Sequence, residues 1–127
     1  KNNNKIYKIE TKKAISNIKE IIRSGNQFII DRGDLSKEVS IENIPRVQRK
    51  IFQVSKKYKN KHIFVATNLL ESMIKNKFPN RGEANDIYNS LEMGASGLVL
   101  AAETAIGKYP SESVSFLKKM INNYKKK

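Results

Sequence analysis

The sequence predicts an α/β protein whose strands form a parallel sheet, assembled from four consecutive strand–loop–helix units within one domain, residues 1–127. Three observations lead there. Short apolar runs, "KIYKIE", "QFII", "HIFVAT" and "GLVLAA", recur along the chain, each followed by a polar connection and then by apolar residues at helical spacing. The run at Phe28–Ile30 is continuous rather than alternating, as expected of a strand covered on both faces. It then enters Asp31-Arg32-Gly33-Asp34, and charged groups at the carboxyl end of a buried parallel strand are where ligands collect.

The first unit pairs the strand "KIYKIE" with a helix marked by Ala14, Ile15, Ile18, Ile21 and Ile22, for which Gly25 is the expected C-terminal cap. In the second, "QFII" leads through a long polar loop to a helix bearing Ile44, Val47, Ile51, Val54 and Tyr58, with Pro45 in its first turn. The third strand, "HIFVAT", precedes a short helical piece, "NLLESMIKN", broken at "KFPNRG" before a helix carrying Ala84, Ile87 and Leu91. The fourth, "GLVLAA", is followed by "ETAIGKYPSES", whose serines are expected to cap a last helix with Val114, Phe116, Leu117, Met120 and Ile121. The basic tail 122–127 is expected to fray.

A chain of 127 residues with 39% hydrophobic and 29% charged residues is globular in composition, and no apolar run approaches the roughly 20 residues that a membrane helix requires. The basic start is not followed by an apolar core and a small-residue cleavage site, so no signal peptide is read there and a cytoplasmic location is expected. With no cysteine, disulfide and thiolate chemistry are excluded. The formal charge of +13 permits contact with a polyanion, but the lysines are scattered over every unit. Only non-specific, salt-sensitive nucleic-acid binding is therefore expected.

In parallel α/β architectures the strand ends carry the chemistry. The first strand delivers Lys8 and Glu10, alternate residues on one face, the second Arg32, Gly33 and Asp34, the third Thr67 and Asn68, and the fourth Glu103 and Thr104. Carboxylates, a lysine and a threonine on one rim suit a hard cation and a phosphorylated ligand. His62, the single histidine, starts a strand at the opposite end and reads as structural. Walker-type and dinucleotide-type glycine fingerprints are absent.

The segments "YKIET", "RGDL", "IPRVQRKI", "ATNLLESMI" and "NRGEANDIYNSLEMGASGLVLAAETAIGKYPSESV" closely resemble those of the pyruvate kinases. The resemblance implies the last four units, half of a catalytic (β/α)8 barrel. It also implies phosphoryl transfer between phosphoenolpyruvate and ADP. By resemblance, Glu10 and Asp34 hold the divalent metal, Mg²⁺ or Mn²⁺, and Gly33 and Asp34 offer backbone N–H groups to the substrate carboxylate. Lys8 stabilises charge during transfer, and Thr67 lies beside the substrate carboxylate and methylene carbon.

The chain departs from the family pattern where Leu-Ser-Gly-Glu-Thr is replaced by Leu100-Ala101-Ala102-Glu103-Thr104, which removes a serine implicated in proton delivery. Asn68 stands for a glutamine, and Ser36 and Ala14 for glycines. No segment here resembles the family's first four strands, which carry its K⁺ site and most of its nucleotide site. The chain on its own is accordingly expected to be inactive, and to form a homo-oligomer or to pair with a missing half-barrel. The alternative is a non-enzymatic half-barrel serving as a binding or assembly module.

Overall fold

The computed structural model describes residues 4–126. Four strands, β1 (Tyr7–Ile9), β2 (Gln27–Asp31), β3 (His62–Ala66) and β4 (Gly97–Val99), form one parallel sheet in chain order. Helices α1 (Lys12–Ser16) and α2 (Ile18–Ser24) join β1 to β2, and α3 (Arg32–Leu35) and α4 (Ile44–Ser55) join β2 to β3. Helix α5 (Arg81–Met93) joins β3 to β4, while α6 (Ala102–Ala105) and α7 (Pro110–Lys125) follow β4. The four strand–helix units are those expected from the apolar pattern.

Strand register decides which side chains meet. Ile9, Ile30, Val65 and Leu98 lie in one row across the sheet, and Lys8, Ile29 and Phe64 in the adjacent row. Because successive side chains point to opposite faces, the first row belongs to the helix-covered side and the second to the other. The helix-covered side holds the core: Ile9, Phe28, Ile30, Ile63 and Val65 are buried with Ile22, Ile51, Phe52, Ile87 and Leu117 from the helices. On the opposite side, by the same alternation, lie Lys8, Glu10 and Asp31.

Several boundaries differ from the sequence expectation. The first helix is two pieces, interrupted at Asn17, whose side-chain Nδ2 bonds the Lys13 carbonyl while its backbone leaves the helical region. Gly25 is not a left-handed cap: its backbone is extended, and a glycine is needed because a Cβ would strike the Tyr7 ring. The piece at 68–76 contains only a 3₁₀ turn, Glu71–Ile74, tied to α5 by Glu83, which accepts from Ser72 N and Ser72 Oγ at 2.8 and 2.6 Å.

The serines after β4 do not cap α7. Pro110 occupies its first turn, and Ser113 lies inside the helix with its hydroxyl on the Tyr109 carbonyl at 2.9 Å. Of the tail 122–127, the residues to Lys125 continue α7, and Tyr124 meets the Tyr88 ring edge-on at a centroid distance of 5.4 Å, while Lys127 lies outside the described residues. Asn80 and Glu83 form a reciprocal capping box at the start of α5, and Gly94 ends that helix at φ 112°, where a left-handed residue is needed. No helix among the described residues is long and apolar enough to cross a membrane.

Candidate active site

The segments that follow β2, β3 and β4 wall a cavity of about 400 Å³, lined by Asp31, Gly33, Asp34, Lys37, Thr67 and Asn68 among others, and the end of β1 lies against it through Asp31. Alternation along β1 puts Lys8 and Glu10 on one side of the sheet, and the adjacent strand brings Asp31 to them. Lys8 Nζ lies 3.1 Å from Glu10 Oε1 and 3.2 Å from Asp31 Oδ2. The Lys8 pKa is raised by its contacts first with Glu10 and then with Asp31. Glu10 Oε1 is itself buried and accepts no well-formed hydrogen bond among the described residues, although the Lys8 ammonium is close by.

Glu10, Asp31 and Asp34 each offer a carboxylate oxygen within 4.8 Å of the others. Three anionic oxygens at that spacing suit a hard, oxygen-seeking divalent cation, and Glu10 Oε1 has capacity for one. The residues present therefore fit the metal that the resemblance implies. In the sequence, Asp31 is legible only as part of the Asp-Arg-Gly-Asp turn. Its side chain joins the cluster because β2 ends there and because Oδ1 caps α3, accepting from Asp34 N at 3.2 Å. The Asp34 carboxyl is held below its ordinary range, first by the Lys37 ammonium 3.1 Å away and then by Asp31.

Thr67 follows β3 with φ +75° and Asn68 with φ +60°. For a β-branched residue this left-handed conformation is costly and calls for external support. Support comes from both sides. Thr67 Oγ1 accepts from Gly33 N at 2.7 Å, and the Thr67 carbonyl accepts from Arg32 Nε and Nη2 at 3.2 and 2.9 Å. Both backbone N–H groups that the resemblance assigns to a substrate carboxylate thus have internal partners, Thr67 for Gly33 and Asp31 for Asp34.

Arg32 and Glu103 are held in structural contacts, although Glu103 also borders the cavity. Arg32 is buried and pairs with Asp86 on α5, a partner that sequence reasoning misses because Asp86 sits among the polar residues of a helix far along the chain. Glu103 is 1% exposed and accepts from Leu70 N and Ala101 N, both at 2.8 Å, so it holds two loops together. Thr104 bonds the Ala101 carbonyl. His62 lies at the start of β3 with Nδ1 3.3 Å from Ser96 Oγ, away from the cavity as expected.

A sequentially ordered parallel sheet with carboxylates and a lysine at its strand ends defines a segment of a (β/α)8 barrel. Comparison with known proteins identifies which barrel. The sequence profile described as "Pyruvate kinase, barrel domain" matches residues 1–114. The chain is 48% identical over 122 residues to a pyruvate kinase of Thermotoga maritima and 47% identical over 115 residues to that of Methanocaldococcus jannaschii, covering 96% and 91% of itself. The crystal structure of pyruvate kinase from Pyrobaculum aerophilum superposes with a TM-score of 0.89 at 42% identity over 93% of the chain. The chain belongs to the pyruvate kinase family. It spans 26% of the length of each of these three relatives.

Proposed function

We propose that this chain is the metal- and phosphoenolpyruvate-binding part of a pyruvate kinase barrel, acting in phosphoryl transfer between phosphoenolpyruvate and ADP, and that it requires the remainder of the barrel to turn over. The observation that carries this reading is the contact of Lys8 with both Glu10 and Asp31, beside Asp34 and Thr67. Glu10 and Asp34 would hold the divalent cation, Mg²⁺ or Mn²⁺, with Asp31 as a third oxygen donor. When bound, the cation supplies charge neutralisation for the phosphoryl and carboxylate oxygens. Lys8 keeps an ammonium beside the developing negative charge, a task in which fixed position matters more than covalent chemistry.

Thr67 lines the cavity and orients the Gly33 turn through its hydroxyl, which accepts from Gly33 N and donates to the Ala66 carbonyl. Ala101 lines the same cavity and offers no proton, so protonation of the product carbon falls to a group outside this chain or to water. A soluble, cytoplasmic location belongs to the same proposal. The test is a coupled assay of the chain alone and of the chain co-expressed with the remaining barrel of the Thermotoga maritima relative. Lys8-dependent turnover only in the complemented sample is expected. Absence of turnover after complementation, with ligand binding intact, would favour the non-enzymatic binding module.

A further inference from the structure

Lys37 is a cation of this cavity to which the resemblance assigns no role. It lines the cavity with Asp31, Gly33, Asp34, Thr67 and Asn68, and its Nζ lies 3.1 Å from Asp34 Oδ1. Its backbone is anchored: Lys37 N donates to the Asp34 carbonyl at 3.1 Å, and Ser36 N and Oγ both donate to the Arg32 carbonyl at 2.9 and 2.7 Å. Its side chain is 77% exposed, so a fixed base carries a stem free to swing.

Asp34 cannot serve an ammonium and a divalent cation equally well with the same oxygen. Carboxylates also outnumber ammonium groups in the cavity lining, where Asp31, Asp34, Glu71 and Glu103 stand against Lys37. A dianion therefore meets a net negative wall until a cation enters and a lysine turns toward it.

Resting on the functional reading above, we propose that Lys37 is a cation-released anion contact: its ammonium is held on Asp34 while that carboxylate is free, and passes to the phosphorylated ligand when Asp34 takes a divalent cation. The two roles have opposite signs. Lys37 competes with the cation alone and assists the anion once the cation is bound.

The experiment is isothermal titration of Mn²⁺ alone, and then of phosphoenolpyruvate at saturating Mn²⁺, into wild type, Lys37→Met, Lys37→Arg and Asp34→Asn. Lys37→Met is expected to bind Mn²⁺ roughly three- to tenfold more tightly and phosphoenolpyruvate about tenfold more weakly, the scale of a screened charge pair. Lys37→Arg should follow wild type in both arms. Unchanged affinity of Lys37→Met in either arm, or weakening in both, would overturn the proposal while leaving the cavity reading standing. No saturable Mn²⁺ binding by wild type, or equal binding by Asp34→Asn, would instead overturn the cavity reading and this proposal with it.

Discussion

The Arg32 guanidinium and the Asp86 carboxylate form a two-pronged ion pair, Nη1 to Oδ1 at 2.7 Å and Nη2 to Oδ2 at 2.8 Å, that joins the end of β2 to α5. The same guanidinium holds the Thr67 carbonyl after β3, and Gln48 Oε1 of α4 lies 3.4 Å from Nη1. Four elements thus meet on one planar cation, whose fixed fork matches carboxylate geometry. Removing Asp86 would leave a buried guanidinium without its counter-charge. Asp86→Ala is expected to destabilise the chain by about 2–4 kcal/mol, read as a lower urea midpoint with an unchanged slope.

Thr67 separates stability from binding. Thr67→Gly removes a left-handed strain of roughly 1–2 kcal/mol, but it loses a hydrogen bond worth about 1 kcal/mol and gains unfolded-state entropy. These terms nearly cancel, so urea unfolding should change by less than about 1 kcal/mol. Phosphoenolpyruvate binding in the presence of Mn²⁺ should nevertheless weaken about tenfold, because the Gly33 turn loses its anchor. A large loss of stability would show that Thr67 is a packing residue first.

The strand edges carry a prediction about assembly. Among the described residues β1 and β4 each pair on one side only, and Ile6, Tyr7 and Val99 are exposed large apolar residues at those edges. Unpaired edges with apolar side chains favour association. The chain is expected to be a homo-oligomer, or to take up a missing half-barrel when one is supplied. Light scattering coupled to size exclusion at micromolar concentration would show this, and a stable, cooperatively unfolding monomer would refute it.

The metal-free chain should show two pH limits from this site. The Asp34 pKa is depressed below 3.8, chiefly by Lys37, so its contribution to stability is present above that value and is lost as pH falls through the lower folded value. Lys8 is raised above 10.5, chiefly by Glu10, so its contribution is complete below that value and disappears as pH rises through the higher folded one. Unfolding by urea across pH, compared between wild type and Lys37→Met, should show a weaker acid-side loss in the variant.

Much of this architecture is legible from local pattern. Apolar runs and helical spacing define the four units, and the two-residue alternation of a strand is enough to put Lys8 and Glu10 on one face. What escapes is set by distance along the chain. Asp86 reads as a solvated helix residue until the fold brings Arg32 to it, and Glu103 reads as a rim carboxylate although Leu70 N and Ala101 N claim it. Lys37 reads as one lysine among many, because nothing local says that its stem reaches into the cavity. Gly25 misleads for the converse reason: its environment is the Tyr7 ring of a neighbouring strand rather than its own helix.

The central claim is that Glu10, Asp31 and Asp34 hold one divalent cation beside Lys8. The most direct measurement is electron paramagnetic resonance of Mn²⁺ titrated into wild type, Glu10→Gln, Asp31→Asn and Asp34→Asn at fixed ionic strength. The account predicts one saturable site in wild type, weakened at least about tenfold by each substitution and tightened by added phosphoenolpyruvate. Binding that survives all three substitutions unchanged, or no saturable binding at all, would contradict it.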